Sequence, residues 1–204
     1  VPAIGTVEAN QSVIVYSRVG GQLLQTHFRE GQDVLKGQML FTIDPAPYRE
    51  RLRQSEGKLA KSLAQMKYNE EEAKRYDFLF EKGAVAKSEA DKYRTEAIGY
   101  EATVKSDRAE VEDARLNLGY CFVRAHFAGR TGAYGVNTGA IVKANDTLRT
   151  TLNRIAPLYV KFSIPEKYLS DVKRYQAAGA IQVNVSLSSD FRGEVRTGKL
   201  VFID

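Results

Sequence analysis

The residues of this chain that could ligate a metal or attack a substrate are few and scattered. His27 and His126 are its only histidines, Met39 and Met66 its only methionines, and Cys121 its only cysteine. A site for a soft metal needs such donors clustered, and these are not. Both histidines fall in strand-like runs, so packing or surface roles are expected of them. Cys121 lies in the apolar run GYCFV, where a buried thiol behaves as a small hydrophobe. A single cysteine also rules out an intrachain disulfide and any multi-cysteine zinc site. Asp44 is the carboxylate that most invites a catalytic reading, but Pro45 follows it. Asp before Pro is a helix start, with Asp44 as N-cap and Pro45 in the first helical position. No Ser-His-Asp or Cys-His arrangement, phosphate loop or HExxH motif is present. The sequence assigns no catalytic, cofactor-binding or metal-binding residue, and the chain reads as non-enzymatic.

Composition narrows the remaining classes. At 204 residues, with 43% hydrophobic and 27% charged residues, the chain is in the range of ordinary globular domains. No window approaches 18 uninterrupted apolar residues, so no membrane-spanning helix is expected within it. It opens on VPAIGTVEAN, which lacks a charged-then-apolar leader, and any targeting or anchoring segment is expected outside it. The net charge of +5 raises nucleic acid as a partner. Lysine and arginine are nevertheless interleaved with glutamate and aspartate, without a basic run, so no nucleic-acid role is expected.

An internal repeat organises the rest. Shifted by 108 positions, Val15 falls on Val123, Gly21 on Gly129, Gly31 on Gly139, Val34 on Val142 and Leu40 on Leu148. Gly37 falls on Asn145, the other residue type that tolerates a left-handed turn. Aligned glycines mark backbone turns that a side chain would obstruct. Each half alone holds a few short strands, too few to bury a face, so the two should pair into one small β-sandwich or flattened barrel.

Between the halves, residues 46–118 are rich in Ala, Glu, Lys, Arg and Leu and lack proline after Pro47, which favours helix. Lys82-Gly83 reads as a basic last turn with a left-handed stop. Ser88, with Glu89 and Asp91, reads as a new N-cap. The segment is predicted to be two helices joined by a short loop. In the second helix Tyr93, Ala97, Tyr100, Val104, Asp107, Val111, Ala114 and Leu118 alternate steps of four and three, with only Asp107 breaking the apolar seam. In the first, Leu52, Leu59, Met66, Ala73 and Phe80 recur every seven, with Leu63 between. Such seams predict an antiparallel coiled-coil hairpin, a rod of roughly 50 Å. Phe80 is expected in its core and Phe78 outside. Gly57 and Gly99 are expected to mark bends or close packing.

REGQDVLKGQML, AHFAGRTG and TGAIVKANDTL resemble the half-motifs of lipoyl/biotinyl carrier domains. No lysine occupies the family's modified position, which Ile43-Asp44-Pro45 takes here, and Lys36 reads as a solvated turn lysine. Carrier-like halves split by a coiled-coil hairpin resemble the periplasmic adaptors, or membrane fusion proteins, and the tip most resembles those of resistance-nodulation-division (RND) pumps. The resemblance implies an elongated, mixed α and β fold. A lipoyl/biotinyl-like β-domain (11–44 and 119–154) is interrupted by the hairpin (45–118). An incomplete β-barrel domain (1–10 and 155–204) follows, with strands expected at 158–164, 181–187 and 194–203. A helix is expected at 165–176, with Tyr168, Leu169, Val172 and Tyr175 facing in. The membrane-proximal domain of the family is expected to be absent from these 204 residues.

In these adaptors the hairpin tip carries Arg, Leu four positions on and Ser seven beyond, and engages an outer-membrane channel. Arg75 and Leu79 match, Ala86 stands at the Ser position, and Ser88 lies two residues on. With Phe78 these are the candidate partner-binding residues, and Asp44 and Pro45 cap the hairpin. The resemblance further implies an inner-membrane transporter of RND type as partner. Self-association into a ring, as a hexamer or a trimer of dimers, is also implied, with location in the periplasm of a Gram-negative bacterium, anchored to the inner membrane. An adaptor of an ATP-driven exporter or type I secretion system is the alternative within the family. A biotin or lipoyl carrier is the alternative outside it.

Overall fold

A computed structural model of the chain describes residues 2–145, 147–179, 181–186 and 195–203. It divides into two compact units, Ala9–Pro157 and Val1–Glu8 with Leu158–Asp204.

Two four-stranded sheets lie mainly in the first unit. One is ordered β1 (Gly5–Tyr16), β8 (Thr147–Phe162), β6 (Gly129–Thr131), β3 (Asp33–Val34), and the other β5 (Phe122–Arg124), β4 (Met39–Ile43), β2 (Gly21–Thr26), β7 (Ile141–Val142). The 108-residue shift converts one order into the other: β1 becomes β5, β4 becomes β8, β2 becomes β6 and β3 becomes β7. Each sheet therefore takes two strands from each half of the repeat, and neither half can form a sheet alone.

Hydrogen bonds between the halves obey the same exchange. Gly37 N donates to Ala125 O (2.7 Å) and Asn145 N to Ser17 O (2.8 Å). Gly31 N donates to Thr131 O and Gly139 N to Leu23 O. The turn of each half is received by a strand of the other. Those turns need left-handed backbone, with φ of +73° at Gly31, +93° at Gly139, +83° at Gly37 and +59° at Asn145. Such values suit glycine and, next best, asparagine. Val15, Val123, Val34 and Val142 are buried together with Leu23, Leu40, Phe41 and Ile43, and Phe28 packs edge-on against Phe41 and Tyr134. The side chain of Leu148 lies outside the described residues.

From this sandwich the chain leaves as α1 (Ala46–Glu81) and returns as α2 (Lys87–Tyr120). The root is fixed on both sides. Asp44 N donates to Gln22 O, Ile43 N to Cys121 O, and Tyr48 Oη to Gly20 O (2.8 Å). Asp44 Oδ1 accepts the Ala46 amide (3.0 Å). Pro45 already has helical torsions and its carbonyl receives Arg49 N, so the capping side chain is that of Asp44. Cys121, fully buried at this root, has its thiol pushed up to about 11, chiefly by burial and secondarily by the Asp44 charge.

The helices pair antiparallel, and their seam is more polar than expected. Val104, Val111 and Ala114 are buried in α2, while Leu52, Leu59 and Met66 of α1 are half-buried. Interleaved with that last set at seven-residue spacing are Ser55, Ser62 and Asn69. Ser55 and Asn69 are each only 5% exposed. Asp107, 2% exposed, accepts a hydrogen bond from Ser62 Oγ and pairs with Lys58 Nζ (3.0 Å), which also reaches Glu110 (2.7 Å). The residue that broke the apolar stripe is thus a partnered element of the seam.

Gly57 and Gly99 do not bear out the close packing that was one of the two expectations for them. A Cβ built at either meets nothing within 4 Å, so neither glycine is required by packing in the chain. Each costs about 1 kcal/mol of helix stability relative to alanine. Gly57→Ala and Gly99→Ala are each expected to stabilise the chain by about 0.5–1 kcal/mol, read as a higher midpoint in urea unfolding.

In the second unit β9 (Gln182–Ser186) pairs antiparallel with β10 (Val195–Lys199), and α3 (Leu169–Ala178) follows a single 3-10 turn, Glu166–Tyr168. Residues 187 and 194, where the expected strands were bounded, lie outside the described residues. Tyr168, Leu169 and Val172 are half-buried, but Tyr175 is 61% exposed. Successive steps of three lag a helix turn by about 60° each, so Tyr175 rotates out of the stripe and lies under Arg174.

Candidate partner-docking site

The far end of the hairpin is where the candidate residues converge. Helix α1 stops at Lys82 because Gly83, with φ +71°, turns the backbone left-handed. Gly83 N then returns to Phe80 O and Ala84 N to Leu79 O (both 2.9 Å), the paired bonds of a Schellman stop. Lys82 is the cap itself, and the last turn carries no basic residue. Ala86 is extended (φ −75°, ψ 151°) and occupies the N-cap of α2, with no side-chain bond to the helix amides. Ser88 is not the cap. It is exposed within the first turn, because the backbone becomes helical at Lys87, one residue before it.

On α1, Arg75, Phe78, Leu79 and Lys82 follow one another at spacings of three, four and seven from Arg75, so they share one face. Arg75 is held by Glu72 (2.9 Å), yet its side chain remains 65% exposed. Phe78 is 56% exposed and carries Lys82 Nζ over its ring at 5.4 Å. Leu79 is half-buried and Ala86 exposed. Phe80, expected in the core, is 38% exposed. At its level α2 has only begun, and the short first turn cannot cover the ring. Ala90, 1% exposed, takes the buried place near the tip instead.

Two cross-helix contacts stiffen this end, and the apolar periodicity alone did not announce either of them. Tyr76 and Tyr93 stack with centroids 3.8 Å apart and planes at 19°. Arg94 Nε donates to Asp77 Oδ1 (2.7 Å) and its guanidinium also reaches Asp91. A basic and aromatic face is therefore presented from a stiffened end, suited to contact with a protein surface.

The histidines lie elsewhere and neither is in a strand. His27 follows β2, where the chain begins to bend toward the Gly31 turn, and its Nε2 meets Thr42 Oγ1 (2.7 Å). His126 is exposed in the bend between β5 and β6. Lys36 is exposed in the turn between β3 and β4. Among the described residues no group of three or more His, Cys, Asp or Glu side chains is arranged to hold a metal ion, and no helix is long and apolar enough to cross a membrane.

The vacancy of a capping side chain at Ala86 has a measurable consequence. Serine there would create the sequence Ser-Lys-Ser-Glu, a capping box with Glu89 at the third helical position. Ala86→Ser is expected to stabilise the chain by about 0.5–1 kcal/mol, read by thermal unfolding. A hydroxyl at this position thus has a structural role available to it apart from any contact with a partner.

Comparison with known proteins follows the same outline. The profile of the RND membrane fusion protein barrel-sandwich hybrid domain matches residues 11–153, the repeat halves and the hairpin together. The multidrug resistance protein MdtA of Erwinia amylovora is 38% identical over 181 residues, covering 88% of this chain and 45% of MdtA. MdtA of Klebsiella pneumoniae is 33% identical over 202 residues, covering 98% and 49%. The chain spans about half the length of these curated relatives. Among solved structures, the membrane fusion protein Spr0693 of Streptococcus pneumoniae superposes with a TM-score of 0.70 at 18% identity, covering 98% of this chain and 84% of that one. A MacA-MexA chimera containing the Pseudomonas aeruginosa MexA α-hairpin domain gives 0.64 at 24% identity, covering 97% and 63%. At these identities the structures establish likeness of fold.

Proposed function

Because this chain belongs to the RND membrane fusion protein family, we propose that it is the adaptor of a multidrug efflux pump, bridging an inner-membrane RND transporter and an outer-membrane channel. The observation that carries this reading is the inserted hairpin. Helices of 36 and 34 residues extend for roughly 50 Å from a sandwich that roots both of them, and they end in an exposed, rigidified face. Such an element supports reach and contact rather than catalysis. In this reading Arg75, Phe78 and Leu79 meet the channel, and Ala86 and Ser88 flank the contact. Asp44 and Pro45 set the direction in which the rod leaves.

The sandwich is the lipoyl-like domain of the adaptor, without a lysine to modify, and the unit of Val1–Glu8 and Leu158–Asp204 belongs to its β-barrel domain. The protein works in the periplasm of a Gram-negative bacterium, tethered to the inner membrane, and several copies close a ring around the exported substrate, as a hexamer or a trimer of dimers. Disrupting the encoding gene in its host is expected to raise accumulation of ethidium. Complementation with the intact gene should restore export, and complementation with a version whose residues 46–120 are replaced by a short turn should not. Restoration by the hairpin-less version would overturn the reading.

A further inference from the structure

Strands β1 and β5 are each an edge strand of their sheet, and an open groove of ≈ 280 Å³ is lined by residues at the end of β1 and along β5. Tyr16 and Arg18 line it from one half of the repeat, and Tyr120, Phe122, Arg124 and His126 from the other. The 108-residue shift places Tyr16 on Arg124 and Arg18 on His126, so the groove straddles the exchange between halves. Two arginines, a histidine and three aromatic rings face it, and no carboxylate does. Arg18 lies over the Tyr120 ring at 4.9 Å, and Arg124 Nη1 donates to Gly37 O (3.0 Å). Both guanidiniums are thus held by neutral partners, with no carboxylate opposite either of them.

The backbone is open as well. Cys121 O accepts Ile43 N, and Ala125 exchanges bonds with Gln38 and Gly37. By strand alternation the amides and carbonyls of Phe122 and Arg124 then point away from β4. An edge of this kind is a template for one more strand. A cationic, aromatic lining with no acid selects what that strand carries. From these two observations we propose that the groove receives an extended, acidic segment of another protein, which adds to β5 by main-chain hydrogen bonds and places carboxylates against Arg18 and His126. This site is at the root of the hairpin and is independent of the contact proposed for its tip.

The probe is an acetylated heptapeptide of alternating glutamate and valine, with lysine replacing glutamate in the control. Saturating acidic peptide should slow exchange of the Phe122 and Arg124 amides by about tenfold or more, and Arg18→Glu with His126→Glu should weaken binding at least about tenfold. Arg18→Glu alone, an exposed change, serves as the second variant, and Arg124 is left intact because it supports the β3–β4 turn. Equal binding of the lysine peptide, or unprotected amides, would overturn the proposal. So would protection that appears with rising protein concentration and no peptide, which assigns the edge to a second copy. Displacement of the peptide by phosphatidylglycerol vesicles without amide protection would assign the groove to a membrane surface.

Discussion

Arg75→Glu combined with Leu79→Ser is expected to abolish export and channel docking in reconstituted pumps, while costing the chain no more than about 1–2 kcal/mol of stability. The asymmetry follows from where the two residues sit. Arg75 is largely exposed and its recorded ion pair is with Glu72, three residues back on the same helix. Losing such a pair, and setting a second carboxylate beside Glu72, costs about 0.5 kcal/mol. Leu79 is half-buried in the terminal turn, where the Schellman bonds, the Tyr76–Tyr93 stack and the Arg94–Asp77 pair keep the helix end formed without it. At a partner interface the same changes reverse the charge of an arginine, a residue type enriched where binding energy concentrates, and remove the apolar contact beside it. Phe78→Ser supplies a second variant at an exposed ring. Export that survives both variants would sink the assignment of the tip, whereas loss of export with an unchanged unfolding midpoint supports it.

Much of this geometry could be read before any coordinates, and the residues that could not be read share a cause. Gly31, Gly139, Gly37 and Asn145 were legible because a left-handed turn admits few residue types, so identity reports conformation. The hairpin was legible because Leu52, Leu59 and Met66 on one helix and Val104, Val111 and Ala114 on the other repeat at the helical period. Ser55, Ser62 and Asn69 were invisible to that criterion. They are as much a part of the seam as the leucines, but their polarity is satisfied by local bonds, as when Asn69 Nδ2 donates to Gln65 O (2.7 Å). Phe80 failed for the opposite reason: a period says which face a side chain takes, not whether the opposing helix extends far enough to cover it. Ser88 lost the capping position to Ala86 because the tight turn sets where helical torsions resume, and a residue lacking a hydroxyl can stand there at modest cost.

The polar seam yields the second large effect, because it couples stability to pairing register. The Ser62 hydroxyl, and after it Lys58, hold the Asp107 carboxyl below its ordinary value of 3.8. Its contribution is therefore present above that value and lost as pH falls through the lower value of the folded chain. Lys58 is raised above 10.5 by Glu110 and then Asp107, so its contribution is present below 10.5 and lost as pH rises past its folded value. Asp107→Asn keeps the shape but removes the buried one of the two carboxylates that hold Lys58, and should lower the melting temperature at pH 7 by about 3–8 °C. It should also flatten the loss of stability between pH 5 and acid.

Asp107→Leu should behave differently. It extends the apolar run of Val104, Val111 and Ala114, and Ser62 Oγ falls back on Lys58 O, to which it already bonds (3.2 Å). Exchange of a buried charge pair for packed hydrocarbon is often neutral or stabilising, so the melting temperature should hold or rise. What this variant gives up is the buried polar pairing of the seam, which a slipped hairpin cannot satisfy, since a heptad shift leaves leucines facing valines but separates Asp107 from Ser62 and Lys58. Register can be read by placing cysteines at Asp77 and Arg94, whose side chains meet in the native pairing. Oxidation should cross-link them readily when Asp107 is present and incompletely in the Asp107→Leu background. Equal cross-linking in both would mean that the apolar seam alone sets the register and that Asp107 contributes stability without specificity.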